Sequence, residues 1–195
     1  MSEEEIIKGC LRNERAAQRA LYEIYSPAMM QACIRFAQSR AEAKEILLDG
    51  FKNIFDNFRS FTDENAKRKK DEAPLALHDW IKKKIIAAAV RQMHAGRKQH
   101  FVSSTVSVRD SEKPASADIT DEQIIKSADK QSVIKALQQL SPSYRAVYNL
   151  YEIENYSHTE ISKLLDISEY SSKDNLQKAK FNLRKNLVRT IPQHT

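Results

Sequence analysis

Glycine and proline are scarce in this chain, which contains three glycines and five prolines among its 195 residues. Average proteins use about 7% glycine and about 5% proline. Hairpins, bulges and tight crossover loops depend on these two residues, so a sandwich, a barrel or a doubly wound sheet would be difficult to build. The scarcity therefore predicts an all-α fold. It also excludes a glycine-rich phosphate loop, because Gly9, Gly50 and Gly96 cannot form a GxGxxG or GxxxxGK motif.

The charge is distributed unevenly along the chain. Residues 1–66 carry a net charge of −2, residues 67–101 of +7, residues 102–129 of −3 and residues 130–195 of +4. The acidic segment is rich in Ser, Asp and Thr and lacks helical periodicity, which is typical of a flexible linker. We therefore predict two small helical domains, at 1–101 and 130–195, with a flexible linker at 102–129. The basic segments favour an anionic partner.

The sequence contains no recognisable catalytic or metal-binding arrangement. Cys10 and Cys33 form no CxxC pair, and the five histidines have no ligand spacing. We therefore expect no enzyme activity, no metal, no cofactor and no small-molecule substrate. The chain has no run of 18 apolar residues, and it begins with an acidic rather than a basic segment. We expect a cytoplasmic protein without membrane insertion.

Apolar residues at helical spacing predict helices throughout the first domain. Ser2 and Glu5 form a predicted capping box, and a later helix is predicted to stop at Ser26-Pro27, with another beginning at Pro27. The strongest apolar stripe runs from Leu47 to Phe58. The opposite face of that helix is either a solvated surface or an acidic docking surface, and it carries Glu42, Glu45, Asp49 and Lys52.

A basic helix is predicted from Leu77 to about Arg97, after a polar insertion at residues 62–74 that contains Lys67-Arg68-Lys69-Lys70. Cations interleaved with aromatic side chains are typical of surfaces that neutralise phosphates and stack on unpaired bases. A soluble basic face is the alternative. The candidate contacts on this helix are Trp80, Lys83, Lys84, Arg91, His94, Arg97 and Lys98.

The second domain has the sequence layout of a helix-turn-helix. Ser141-Pro142 predicts one helix start, Ser157 or Thr159 another, and Asp166-Ile167-Ser168 a tight turn before a basic helix from Glu169 to about Val188. A helical hairpin with a basic face is the alternative. In a major groove the last helix would place Ser171, Ser172, Lys173 and Asn175 near base edges, and Lys178 and Lys180 near phosphates.

These motifs, in this order, resemble the extracytoplasmic-function group of the sigma-70 family of bacterial RNA polymerase factors. The specific part is LSPSYR followed by SHTEISKLLDIS at residues 140–168; ALYEIYSP and EAKEILLDGFKNIF in the first domain are weaker matches. The resemblance implies a transcription initiation factor. In such a factor the Glu42–Phe55 helix docks on the β′ clamp helices of core polymerase, and the Trp80–Lys98 helix melts and reads the −10 element. The Glu169–Lys180 helix reads the −35 element.

The partners that the resemblance implies are core RNA polymerase, through its β′ clamp helices and β flap, promoter DNA and an anti-sigma factor. Several positions depart from the family pattern: Ala87 and Arg91 stand where Asn and Asp are common. Ser172 occupies a usually apolar position, and Asp174 occupies a position that is usually small and polar. Asp166 stands in the turn where relatives often have a glycine in the left-handed conformation, which Asp tolerates better than most residues.

The sequence leaves two alternative functions open. A conventional helix-turn-helix regulator would form a dimer on a palindromic site, although no heptad seam is present. A sigma-like interaction protein would act by occupying a partner.

Overall fold

The structure, a computed structural model, describes residues 1–69, 71–100 and 128–190, and leaves the side chains of residues 95–100 and 189–190 undescribed. The described residues form helices joined by turns and contain no strand, which confirms the predicted all-α fold. The chain divides into two compact units, Met1–Gln92 and Met93–Thr195. Nearly all of the predicted linker lies outside the described residues, and the domain boundaries at 101 and 130 stay predictions. No helix among the described residues has both the length and the apolarity needed to span a bilayer.

The first unit is built from α1 (Glu3–Leu11), α2 (Arg15–Phe36), α3 (Arg40–Asp56), α4 (Arg59–Ala66) and most of α5 (Leu77–His100). The predicted capping box of α1 is present, since the Glu5 N–H donates to Ser2 Oγ and the Ser2 N–H donates to the Glu5 carboxylate. Ser39 caps α3 by accepting a hydrogen bond from the Glu42 N–H at 3.1 Å. These caps satisfy N–H groups that have no partner inside the helices.

The predicted helix break at Ser26-Pro27 is wrong, because α2 runs through Pro27 without interruption. Proline removes one N–H donor from the helix interior. The exposed Pro27 lies between Leu21 and Met29, which are both buried on the same packed face. Burial of this long apolar stripe on both sides of the proline stabilises the helix by more than the missing hydrogen bond destabilises it.

Close helix contacts in the first unit occur at two glycines. A methyl group at Gly9 of α1 would overlap the Cβ of Ala17 in α2, and one at Gly50 of α3 would overlap the end of the Ile85 side chain in α5. Glycine therefore permits close packing here. The largest fully buried side chains of this unit are Ile6, Leu21, Met29, Ile46, Phe51, Ile54, Leu77, Trp80, Ile81 and Ile85.

Part of the polar insertion predicted at residues 62–74 is helical, since α4 extends to Ala66. Asn65 closes the loop that follows: its Oδ1 accepts a hydrogen bond from the Leu75 N–H at 2.8 Å, and its Nδ2 donates to the Phe61 carbonyl at 3.2 Å. The insertion therefore folds back to the start of α5.

The second unit contains α6 (Lys130–Gln138), α7 (Pro142–Tyr148), a π-helical turn (Asn149–Ile153), α8 (His158–Leu165) and α9 (Glu169–Thr190). Three predicted local features are confirmed. Ser141 caps α7 with Pro142 in the first turn, Ser157 forms a capping box with Glu160, and Asp166 ends α8 in the left-handed conformation at φ 53 and ψ 53.

Arg145 of the LSPSYR motif is buried between α6 and α7. Its Nη1 donates to the Gln138 carbonyl at 3.1 Å and to the Leu140 carbonyl at 3.2 Å. Carbonyls at a helix end have no partner within the helix, and a guanidinium can bind two of them at once. Arg145 therefore fastens the end of α6 to α7, a structural role that the sequence did not predict.

Candidate nucleic-acid interface

One face of α9 packs into the second unit and the opposite face lies in solvent. The buried positions are Ser172, Leu176, Ala179, Leu183 and Leu187. The exposed stripe includes Tyr170, Lys173 and Gln177, at helical spacing i, i+3 and i+7. Tyr170 is 80% exposed, an unusual state for a large aromatic side chain. Only this exposed face could enter a DNA groove.

Ser172 is not available for base contacts in this structure, because its side chain is 0% exposed. The prediction that it lies near base edges is therefore wrong. Position 172 falls on the same helix face as Leu176 and Ala179, which buries it. Ser172 Oγ instead lies 2.9 Å from Nδ1 of His158 in α8.

Ser171 is half-buried and belongs to the start of α9. Its N–H donates to Ser168 Oγ at 3.0 Å, and the two hydroxyls lie 2.8 Å apart. Asn175 is also half-buried, whereas Lys173 is exposed. Among the residues predicted for base contact, Lys173 is thus the most accessible, and sequence reasoning missed its exposed neighbours Tyr170 and Gln177. A helical projection that placed Leu176 inside would have identified both.

The two lysines predicted to contact phosphates form ion pairs in the free protein. Lys178 Nζ lies 2.8 Å from Asp174 Oδ2, and Lys180 Nζ lies 2.8 Å from Glu152 Oε1. The hydrogen bond and charge of Asp174 raise the pKa of Lys178, which therefore stays protonated. The Lys178–Asp174 pair is exposed and the Lys180–Glu152 pair is partly exposed. Ion pairs in contact with solvent contribute little to stability, so phosphate groups can compete for the lysines.

Trp80 is buried in the first unit and cannot stack on a base in this structure. Its side chain is 0% exposed, and its ring centroid lies 5.5 Å from that of Phe58 and 5.4 Å from that of Phe61. The predicted placement on an exposed aromatic edge is therefore wrong. The indole is enclosed because Phe61 of α4 packs against its ring.

Lys84 also belongs to this cluster, since its Nζ lies 2.9 Å from Glu64 Oε1 and 5.2 Å from the centroid of the Trp80 ring. Trp80 Nε1 donates to the same carboxylate oxygen at 3.2 Å. Partial burial acts to raise the pKa of Glu64, but the hydrogen bond and charge of Lys84 outweigh it and the pKa is lowered. Lys84 is thus directed towards α4.

The predicted docking surface on α3 and the basic helix α5 contact each other. Arg91 Nη2 lies 3.0 Å from Asp49 Oδ2, and Gln92 Nε2 donates to Glu45 Oε2 at 3.3 Å. Arg91 is exposed in spite of this pair.

The other predicted residues of these two helices differ in exposure. Lys83 is exposed and His94 is half-buried, while the side chains of Arg97 and Lys98 lie outside the described part. On α3, Lys52 is exposed, and Glu42 accepts a hydrogen bond from the Gln38 N–H at 2.6 Å. The exposed Leu48 adds an apolar side chain to this acidic face.

Comparisons with known proteins agree with these features. Residues 130–182 match the family model described as sigma-70, region 4. The fold is similar to that of the sigma factor RpoE from Bartonella quintana, solved as a co-crystal with the anti-sigma factor NepR. The TM-score is 0.50 and the sequence identity 17%, over 88% of this chain and 96% of that chain. No curated protein sequence matches.

The matched residues 130–182 include α6, α7, the π-helical turn, α8 and the first part of α9. The described helices of both units agree with the all-α fold of the solved relative. Residues 130–182 therefore match sigma-70 region 4, and the fold of the chain is similar to that of a solved sigma factor.

Proposed function

We propose that this chain is a sigma factor of the extracytoplasmic-function type, which binds core RNA polymerase and directs it to specific promoters. It would read the −35 element with α9 and the −10 element with the first unit. The observation that carries the proposal is the exposed basic face of α9, opposite its buried stripe, within the residues that match sigma-70 region 4. A helix with this arrangement can place side chains on base edges in a major groove while its later cations neutralise phosphates.

The base-reading face consists of Tyr170, Lys173 and Gln177. The exposed ring of Tyr170 can contact the apolar methyl group of thymine, Lys173 can donate to guanine, and Gln177 can form two hydrogen bonds with adenine. Lys178 and Lys180 exchange their carboxylate partners for phosphates on binding. Asp174 reduces the net positive charge of this face and can accept a hydrogen bond from the amino group of cytosine.

In the first unit, strand binding depends on cations more than on aromatic stacking. Trp80 and Lys84 face the hydrophobic core and α4, whereas Lys83 and Arg91 are exposed on α5. His94, with Arg97 and Lys98 farther along the helix, extends the predicted contact to the −10 strand. Phosphate contacts of this kind depend steeply on salt.

Core polymerase docks on the exposed face of α3. Glu42, Glu45, Asp49 and Lys52 provide a largely acidic surface, with Leu48 as an apolar contact, and the β′ clamp helices are its partner. The second unit contacts the β flap. The solved relative is described in complex with an anti-sigma factor, and we propose a partner of the same kind for this chain.

Transcription from core polymerase tests the function directly. The purified full chain is added to core polymerase on genomic DNA, and transcription start sites are mapped. Lys173→Ala combined with Lys178→Ala should lower initiation about tenfold or more, because a specific base contact contributes about 1–3 kcal/mol and the loss of a phosphate contact weakens binding further. Binding to core polymerase should remain unchanged.

A matched control removes the same charge elsewhere in the second unit. Lys135→Ala combined with Lys163→Ala replaces two exposed lysines outside α9 and should leave initiation near the wild-type level. An equal loss of initiation in both double variants would contradict the assignment of α9 as the helix that reads the −35 element.

The burial of Trp80 favours one rival function, a sigma-like interaction protein that binds a partner without opening promoters. The same experiment separates the two. Binding to core polymerase with no initiation above core alone would support the rival.

A further inference from the structure

The first residues of α9 bury less apolar surface than the rest of the helix. Among residues 169–175, all of which the structure describes, Ser172 alone is buried. Farther along the helix, Leu176, Ala179 and Leu183 pack into the second unit. Apolar packing thus fixes the later turns of α9, whereas in the first two turns the buried side chain is polar. The cap that Ser168 Oγ forms on the Ser171 N–H adds a second local contact there.

His158 supplies the partner of Ser172. Its Nδ1 lies 2.9 Å from Ser172 Oγ, and its ring stacks on Tyr151 with centroids 4.5 Å apart and planes inclined by 20°. Tyr151 belongs to the π-helical turn, a type of element that frequently occurs at functional sites. We call Tyr151, His158 and Ser172 the anchor triad; it joins the π-helical turn, α8 and α9.

We propose that His158 is a positioning residue for promoter recognition: it orients the first two turns of α9, and therefore Tyr170 and Lys173, through its hydrogen bond to Ser172. The proposal rests on the proposed function of α9 as the helix that reads duplex DNA. Specific contacts require donors and acceptors within about 0.5 Å of the productive geometry. Stacking on Tyr151 restricts rotation of the imidazole, so the ring can act as a fixed reference point for Ser172.

Loss of this bond should affect orientation more than folding. His158 is half-buried, so water can replace the Ser172 hydroxyl as the partner of Nδ1. The buried leucines of α9 are untouched. A defect in specific DNA binding can therefore be separated from unfolding of the second unit.

A matched pair of variants at position 172 isolates the hydroxyl group. Ser172→Thr keeps it, whereas Ser172→Val has nearly the same shape and lacks it. The probe is a duplex that the full wild-type chain, alone or bound to core polymerase, selects from a random pool. We expect the Val variant to bind this duplex about threefold to tenfold more weakly than the Thr variant, which is the range for one net hydrogen bond.

Two controls accompany this pair. Both variants should bind a duplex of unrelated sequence equally well, because phosphate contacts do not require the oriented face. Both should show the same helical content at the assay temperature. Equal specific binding by folded Thr and Val variants would overturn the positioning role.

Variants of His158 separate the hydrogen bond from the stacking. His158→Asn retains a polar atom near the place of Nδ1, and His158→Phe retains the ring on Tyr151. The Asn variant should keep more specific affinity than the Phe variant, and adding Ser172→Val to His158→Phe should cause little further loss. A higher specific affinity in His158→Phe than in His158→Asn would contradict the proposal.

The outcome also separates this proposal from the proposed function. If the wild-type chain selects no duplex sequence, alone or with core polymerase, then α9 is not a reading helix and the proposed function fails. If it selects one but the Thr and Val variants bind it equally, only the role of His158 fails.

Discussion

Among the single residues, His158 connects the stability of the second unit to pH. Burial, followed by the charge of Lys173, lowers the pKa of this imidazole, while Glu169 acts in the opposite direction. The folded state therefore favours the neutral ring. Its contribution to the free energy of unfolding is fully present above the unfolded pKa, which is about 6.5, and is lost as the pH falls below it.

We expect urea unfolding of the wild-type chain, followed by circular dichroism, to show declining stability from pH 7 towards pH 5. His158→Phe should remove part of this decline. An identical pH dependence in wild type and His158→Phe would contradict the assignment.

At the same scale, sequence reasoning succeeded for residues whose role is local. The caps at Ser2, Ser141 and Ser157 and the left-handed Asp166 depend on neighbours within a few positions, so their pattern is legible in the chain. Trp80 and Ser172 were misplaced because their environment is set by distant elements. The indole is covered by α4, and the serine finds its partner 14 positions earlier.

The elements of the first unit pack closely at two glycines, which are predicted to differ in their tolerance of a methyl group. Gly9→Ala should destabilise this unit by up to about 2 kcal/mol, because overpacking costs about 1–3 kcal/mol and the higher helix propensity of Ala offsets about 1 kcal/mol of that cost. The clash is with Ala17 Cβ, which cannot rotate away.

Gly50→Ala is the matched comparison, since the nearest atom is the flexible end of Ile85. Its cost in urea unfolding should stay below about 1 kcal/mol, because a rotamer change can relieve the contact. A larger loss at Gly50 than at Gly9 would contradict this account of how the helices pack.

Whole elements were predicted well where they form a long amphipathic stripe and poorly where tertiary packing overrides a local signal. The stripe from Leu47 to Phe58 lies mostly on α3, and the basic helix starts at Leu77 as predicted. Pro27 usually ends a helix, but α2 continues through it because buried side chains continue beyond it. Helix α4 was not predicted, because Phe61 was not recognised as part of the hydrophobic core. Its last residues lie at the start of the predicted polar insertion.

For the whole molecule, the net charge of +6 predicts DNA binding that weakens with salt. Lys178→Ala should lower the steepness of the plot of log K against log salt concentration by about 1, because one phosphate contact is lost. Lys163→Ala, an exposed lysine on α8, should leave the slope unchanged. Equal slopes for the wild type, Lys178→Ala and Lys163→Ala would show that Lys178 does not contact a phosphate.

Trp80 gives the molecule an optical label in only one of its two units. It is the single tryptophan of the chain, enclosed by Phe58 and Phe61 with a carboxylate and an ammonium group beside its ring. Its fluorescence emission therefore reports loosening of the first unit, while the helix-turn-helix contributes to circular dichroism without contributing to tryptophan emission. One denaturant titration followed by both signals can thus distinguish joint from separate unfolding of the two units.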